Sequence, residues 1–303
     1  MHFTLSRGRA SGEFAEVMLP WGDILRFPRY EQTGLGILRR GLFDLTVSEA
    51  LFRLADAGEL VGDVGGNVGH MTSVLSRRVG ADGAVLTFEP HPVIHEYLAA
   101  NVQRWSARPE APEFVLHRVA LSNVNGNGVL AMGSGFDWNQ GSATLGKLDE
   151  ADARAEQVEV RRLDDLVGDR YVGVLKVDVE GHEREVFDGA ERTLASGRIR
   201  DVVFEDFDDP PTAVTQLLRG HGYEVFSLDH SLRGPLVGPA TRRAASLSGG
   251  DPSYLGTTDP RRALDRLSPR GWTVLGVGPA ARSHRATTRR TTPRSSRRQP
   301  GVR

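Results

Sequence analysis

The chain has no cysteine among its 303 residues, which excludes disulfides, thiolate nucleophiles and cysteine metal sites together. Chemistry must therefore come from carboxylates, histidines, hydroxyls or a bound cofactor. No run of about 18 apolar residues occurs, so a membrane-spanning helix is not expected, and Met1 to Gly12 lacks the apolar stretch of a secretory leader. These absences lead to the expectation of a cytoplasmic protein without a membrane partner. Acidic residues are missing from 281–303, which hold eight arginines; setting those aside leaves 30 basic against 39 acidic residues, a net of −9 hidden behind a formal −1. A core that acidic argues against nucleic acid as its partner, and the Ser/Thr/Arg/Pro-rich tail reads as disordered.

What is present is ordinary for one catalytic-size globular domain with additions: 39% hydrophobic and 25% charged residues. Pro20-Trp21-Gly22-Asp23 separates Val17-Met18-Leu19 from Ile24-Leu25-Arg26-Phe27, which predicts a β-hairpin. Ser48 to Ala57 places Ala50, Leu51, Leu54 and Ala55 on one helical face. From Leu60 onward, short apolar runs at 60–64, 84–88 and 114–119 alternate with helical stretches, and a second series follows at 172–177, 201–204 and 223–228. The pattern predicts a doubly wound α/β fold with a switch point between the two halves. Trp272–Val277 reads as a seventh, antiparallel edge strand after a loop-rich excursion with one helix near Arg261–Leu267. Gly126–Met132, Ala143–Leu145 and Gln157–Arg161 read as a small inserted antiparallel sheet. The expected organisation is an N-terminal β/α cap over 1–47, a catalytic domain over 48–280 and the tail over 281–303.

Asp63-Val64-Gly65-Gly66-Asn67-Val68-Gly69 closes a strand in a glycine-rich turn that opens a helix. Backbone N–H groups and the helix dipole there favour a carboxylate or phosphate, and glycine lets a ligand approach the backbone. The spacing lacks the second glycine of Gly-x-Gly-x-x-Gly, which disfavours a dinucleotide and with it a nucleotide-dependent oxidoreductase. Glu89 stands just past the next strand, where a carboxylate can accept both hydroxyls of a ribose. Turn and acid together point to a nucleoside ligand, with Ala120 and Leu121 lining its base through backbone groups.

With Phe88-Glu89-Pro90, Val119-Ala120-Leu121-Ser122, Leu163-Asp164-Asp165-Leu166 and Leu175-Lys176-Val177-Asp178-Val179-Glu180-Gly181, the chain resembles the FkbM-type family of S-adenosylmethionine-dependent methyltransferases over about residues 40–230. The resemblance implies a class I methyltransferase fold, seven-stranded and Rossmann-like. It also implies S-adenosylmethionine as cofactor, with Asp63, Gly65, Asn67 and Gly69 around the methionine moiety and Glu89 with Pro90 at the ribose. O-methylation of a hydroxyl on a sugar or secondary metabolite follows as the expected reaction. Gly66 departs from the family's usual alanine. Acceptor specificity is expected from 133–160 and 230–271, with Asn139 and Ser142 in a loop near the acceptor. An N-methyltransferase and a non-catalytic S-adenosylmethionine-binding protein stay open as alternatives, as does a homodimer.

A strand covered on both faces should be apolar throughout, and Lys176 and Asp178 break that rule on the same side of one. They are expected at the active site, the alternative being an internal Lys176–Asp178 or Lys176–Glu205 ion pair that only organises strand ends. Asp178 is the first candidate to take or orient the acceptor's proton, with Glu180, His182 and Glu205 behind it. A divalent ion held by Asp178, Glu180 and Glu205 is an option without direct support, and His91 with His95 lacks an evident third ligand.

Overall fold

The structure is a computed structural model, and the residues described are 8–29, 32–132, 144–145, 154–241 and 252–276. The chain opens with an antiparallel sheet of β1 (Gly8–Ser11), β2 (Phe14–Met18) and β3 (Ile24–Pro28). Ala15, Val17, Leu25 and Phe27 are buried from its two longer strands, as alternation requires when one face of a sheet is covered. Helices α1 (Gln32–Arg40) and α2 (Leu45–Leu54) follow. The first half of the main sheet is β4 (Leu60–Val64), α3 (His70–Val79), β5 (Ala84–Phe88), α4 (Pro92–Trp105) and β6 (Glu113–His117). Then come β7 (Ala120–Leu121), β8 (Gly126–Met132), β9 (Thr144–Leu145) and β10 (Arg154–Arg161), a separate sheet in the order β7-β10-β8-β9. The inserted sheet is thus present, and Ala120–Leu121 belongs to it, paired parallel with Val160 and Arg161.

The second half runs α5 (Leu163–Val167), β11 (Val172–Val177), α6 (Glu183–Asp188), α7 (Glu191–Ala195), β12 (Ile199–Glu205), α8 (Ala213–Gly220), β13 (Glu224–Ser231), β14 (Gly234–Pro239), β15 (Ser253–Thr257) and α9 (Pro260–Leu267). The main sheet has the order β14-β13-β15-β12-β11-β4-β5-β6. It contains the seven strands of a doubly wound methyltransferase-type sheet plus β14 as an added edge. The chain winds outward from β4 to β6, then returns to β11 beside β4 and winds the other way, so the switch point lies between the ends of β4 and β11. Every residue of β11 is buried, Lys176 included.

Two details differ from the expectation. The predicted helix from Glu183 to Leu194 is two helices, broken at Gly189, where a Cβ would stand 2.0 Å from the Ser122 carbonyl oxygen. The predicted strand at 272–277 is a 3-10 turn over Thr273–Gly276, and residue 277 lies outside the described residues. The antiparallel strand is instead β15, which sits between β12 and β13 rather than at the edge. The cause is Glu49: its fully buried carboxylate accepts the N–H of Thr273 (2.7 Å) and of Val274 (2.8 Å), groups that a strand would have needed for its ladder. Arg53, one turn further along α2, pairs with Glu49 and donates to the carbonyls of Leu267, Pro269 and Gly271. α2 therefore clasps the segment after α9 through two ionised side chains.

The N-terminal hairpin is pinned in a similar way. Buried Asp23 accepts from Arg77, Arg108 and Ser73, and Trp21 donates to the same serine, so the hairpin turn is bound to α3. Among the described residues no helix is long and apolar enough to cross a membrane. Replacing Asp23 by alanine leaves two arginines without their buried partner, a change expected to lower unfolding stability by about 3–5 kcal/mol in a denaturant melt. A loss below about 1 kcal/mol would mean that apolar packing alone holds the hairpin.

Candidate active site

Four strand ends meet at the switch point. The turn after β4 closes on β5 because the N–H groups of Gly65 and Gly66 both donate to the Phe88 carbonyl at 3.0 Å. It closes on β11 through Asp178 N–H to Val64 O (3.2 Å). Gly65 has φ +74°, and a Cβ there would lie 1.9 Å from the Asp178 carbonyl oxygen, so both backbone shape and close approach demand glycine. Asn67 also has positive φ, and its side-chain oxygen accepts the N–H of Val68 at 2.6 Å. Gly69 caps α3 without a side-chain hydrogen bond, which leaves the positive end of that helix without a carboxylate or hydroxyl of its own at the cap.

Gly66, where the resembling family has alanine, has a reason within this chain: a Cβ there would stand 2.3 Å from Thr87 Cγ2. Thr87 in turn shares a 3.2 Å hydrogen bond with Thr72, whose hydroxyl donates to Asp63 Oδ2 at 2.6 Å. Asp63 is fully buried, so it braces the turn from beneath.

Glu89 stands just past β5 and reaches back to the turn after β4. Its Oε2 accepts Asn67 N–H and its Oε1 accepts His91 N–H, each at 2.9 Å, so the carboxylate is fixed in plane with further lone pairs to offer. Burial pushes its pKa up to about 7, against the lowering effect of those two N–H groups and of Lys176. Pro90 follows directly and starts the bend into α4, where the ring of His91 accepts Ile94 N–H as N-cap at 3.3 Å. Ala120 and Leu121 are both buried, Leu121 in the apolar cluster that includes Val64, Leu86 and Phe88.

Lys176 occupies the junction. Its ammonium donates to the carbonyls of Gly65 (3.0 Å) and Val64 (3.4 Å) and pairs with Asp178 (3.1 Å) and Asp63 (3.5 Å). Burial alone would lower its pKa, but Asp178, Asp63 and Glu205 together raise it, so it stays charged. The internal Lys176–Asp178 pair weighed from the sequence is present. Asp178 is nonetheless 29% exposed at its side chain, against 6% for Lys176 and 0% for Asp63. Glu205 ends β12 on the far side of β11. Glu180 has φ +54° and is followed by Gly181 at +87°, a tight turn held by the buried Glu183 carboxylate accepting Val179 N–H. His182 lies near Ser122 (Nε2 to Oγ 3.0 Å) and Glu185 (Nδ1 to Oε2 3.6 Å), and burial lowers its pKa. Of its two ring nitrogens, Nε2 is the one within hydrogen-bond distance of its neighbour. Asn139 and Ser142 lie outside the described residues. Among the described residues no three histidine or acidic side chains gather as a metal site would require.

Three groups at this edge escaped the sequence reading. His70 starts α3 and packs against Trp21; burial and then Lys176 push its pKa down to about 3, leaving it neutral. Thr72 looked like any helix residue, yet it is the hydroxyl partner of Asp63. Asp44 caps α2 with φ +36° and accepts Val47 N–H. Its pKa is raised by burial and by the charge of Asp178. Only its position before an apolar helix hinted at a role, and that hint says cap rather than site.

A glycine turn that accepts close approach, an uncapped helix start and a fixed acid on the neighbouring strand fit the methionine and ribose ends of S-adenosylmethionine. Fold and site define a class I, S-adenosylmethionine-dependent methyltransferase. The family description "Methyltransferase FkbM domain" matches residues 63–225. The chain is 31% identical over 194 residues to the 31-O-demethyl-FK506 methyltransferase FkbM of Streptomyces tacrolimicus, covering 55% of this chain and 74% of that protein. It is 31% identical over 179 residues to the hexuronic acid methyltransferase AglP of Haloferax volcanii, covering 57% and 66%. The chain belongs to the FkbM methyltransferase family. Among solved structures, an FkbM methyltransferase from Methylobacillus flagellatus KT aligns with TM-score 0.45 and 15% identity over 66% of this chain and 44% of that one.

Two expectations follow. Gly66→Ala should cost about 1–3 kcal/mol through overpacking against Thr87, and adding Thr87→Ser, which removes the methyl and keeps the hydroxyl, should recover most of it in thermal melts. No recovery would separate Gly66 from Thr87. Because Glu89 takes up a proton below about 7, calorimetric affinity for S-adenosylmethionine should fall about tenfold from one pH unit to the next below that value. In Glu89→Gln binding should be weak and level with pH; a wild-type affinity that is also level would remove the ionised carboxylate from the site.

Proposed function

We propose that the protein transfers the methyl group of S-adenosylmethionine to a hydroxyl oxygen on a sugar or secondary metabolite, in the cytoplasm. The observation that carries this reading is Asp178, a carboxylate at the switch point that touches the buried cation Lys176 on one side and stays 29% exposed on the other. The two relatives, one a 31-O-demethyl-FK506 methyltransferase and one a hexuronic acid methyltransferase, support an acceptor of this kind.

Bound S-adenosylmethionine supplies a methyl group already activated by its sulfonium, so the chain's own work is placement and proton handling. Glu89 takes the ribose hydroxyls and the start of α3 takes the methionine carboxylate. Asp178 would accept the hydrogen bond of the acceptor hydroxyl and take up its proton, while the cofactor would supply the methyl group to that oxygen. Holding the three reacting atoms in line is worth roughly 7–11 kcal/mol at most. Lys176 keeps Asp178 in place but has no free face toward the acceptor, since its partners surround it.

The test is a screen of hydroxylated sugars and polyketide-like alcohols with release of S-adenosylhomocysteine as readout. Asp178→Asn should lower kcat by two orders of magnitude or more on the acceptor found, with affinity for S-adenosylmethionine changed far less. Turnover equal to wild type would end the assignment of Asp178.

A further inference from the structure

The charge at the switch point is uneven. Lys176 carries one positive charge, while Asp63 at 3.5 Å and Asp178 at 3.1 Å carry two negative ones, with Glu205 near enough to act on the same ammonium. This cluster lies directly beneath and beside the glycine turn: the Lys176 ammonium touches the carbonyl oxygens of Val64 and Gly65 from below. A cofactor whose ribose rests on Glu89 has its sulfur one methylene away from that ribose, and its methionine end crosses the same turn. The two forms it takes over a turnover differ in charge at that sulfur, a cation before transfer and a neutral thioether after. A fixed field at the turn therefore acts on one form and leaves the other nearly unaffected.

We propose that Lys176 is a positioning residue that sets how strongly the site prefers the sulfonium cofactor over its demethylated product, by cancelling part of the field of Asp63 and Asp178. Without it, the carboxylates would hold the sulfonium more tightly in the ground state than in the transition state, where the charge at sulfur is already fading, and uniform or excess ground-state binding does not speed the chemical step. With it, the cluster keeps a residual negative charge that still attracts the cofactor. The geometry suits this role better than contact with an acceptor, because the ammonium is buried and has four partners around it.

The inference rests on the cofactor site and is independent of which acceptor is used. The probes are S-adenosylmethionine and S-adenosylhomocysteine themselves, titrated by calorimetry at pH 8.5, and the quantity read is the ratio of their affinities. Binding of both to the wild type checks the cofactor site and is read separately. Counting Lys176, Asp63 and Asp178, wild type and the double variant Lys176→Gln/Asp178→Asn share one net charge, Lys176→Gln is one unit more negative and Asp178→Asn one unit less. The ratio in favour of the sulfonium should rise at least tenfold in Lys176→Gln, fall at least fivefold in Asp178→Asn and return to within threefold of wild type in the double variant. If Lys176→Gln does not fold, Asp178→Asn and the double variant carry the test, since the double variant must reverse the shift of the single one. A ratio that stays constant across the folded variants, or a double variant that keeps the shift of Asp178→Asn, would overturn the proposal and leave Lys176 a purely structural brace.

Discussion

The ammonium of Lys176 is the constraint from which the crevice is built. A buried cation must find partners, since isolation in a low-dielectric interior costs several kcal/mol. Here the partners are the ends of two strands: carbonyls of the turn after β4 and carboxylates on β4 and β11. Satisfying the cation draws those ends together at the point where the winding of the sheet reverses. The glycine turn then fits only because Gly65 presents no Cβ to the Asp178 carbonyl. The site is thus a consequence of how the interior neutralises one charge.

The same device recurs at the periphery with other ions. Asp23 with two arginines fastens the N-terminal hairpin, and Glu49 with Arg53 fastens the segment after α9. Asp164 accepts the N–H groups of Arg192 and Thr193 and so caps α7, which gives the Leu163-Asp164-Asp165-Leu166 motif a structural meaning. Asp23, Glu49 and Asp164 are each buried with their carboxylates hydrogen-bonded, the condition under which a buried charge is tolerated. Glu89 differs in kind. Its folded-state pKa of about 7 lies above the ordinary glutamate value of 4.5, so its effect favours the folded state at acid pH. That contribution is lost as pH rises from about 4.5 to about 7. The site thus holds a carboxylate that is less comfortable in the free protein than in water, as binding groups often are.

Much of this was legible from local pattern. The alternation of apolar runs gave the doubly wound order, and the turn spacing with Glu89 named the ligand class before any contact was known. Lys176 and Asp178 stood out because a central parallel strand should hold neither. What escaped were groups whose partners are distant in sequence. Thr72 and Thr87 meet Asp63 and Gly66 only once α3 and β5 are packed. Glu49 and residues 273–274 are more than two hundred positions apart, and nothing in Trp272–Val277 itself says that its N–H groups will be taken by a carboxylate.

By itself, then, the sequence determined the class of fold, the class of cofactor and the strand that carries buried charge, because hydrophobic period, glycine spacing and misplaced charge are local properties. The tertiary structure decided which ionised side chain faces solvent and which is sealed, why Gly66 replaces alanine, and which segment supplies the antiparallel strand. Those outcomes depend on distances between residues remote in the chain. Electrostatic satisfaction of buried groups, unlike hydrophobic period, has no signature in any single window of sequence.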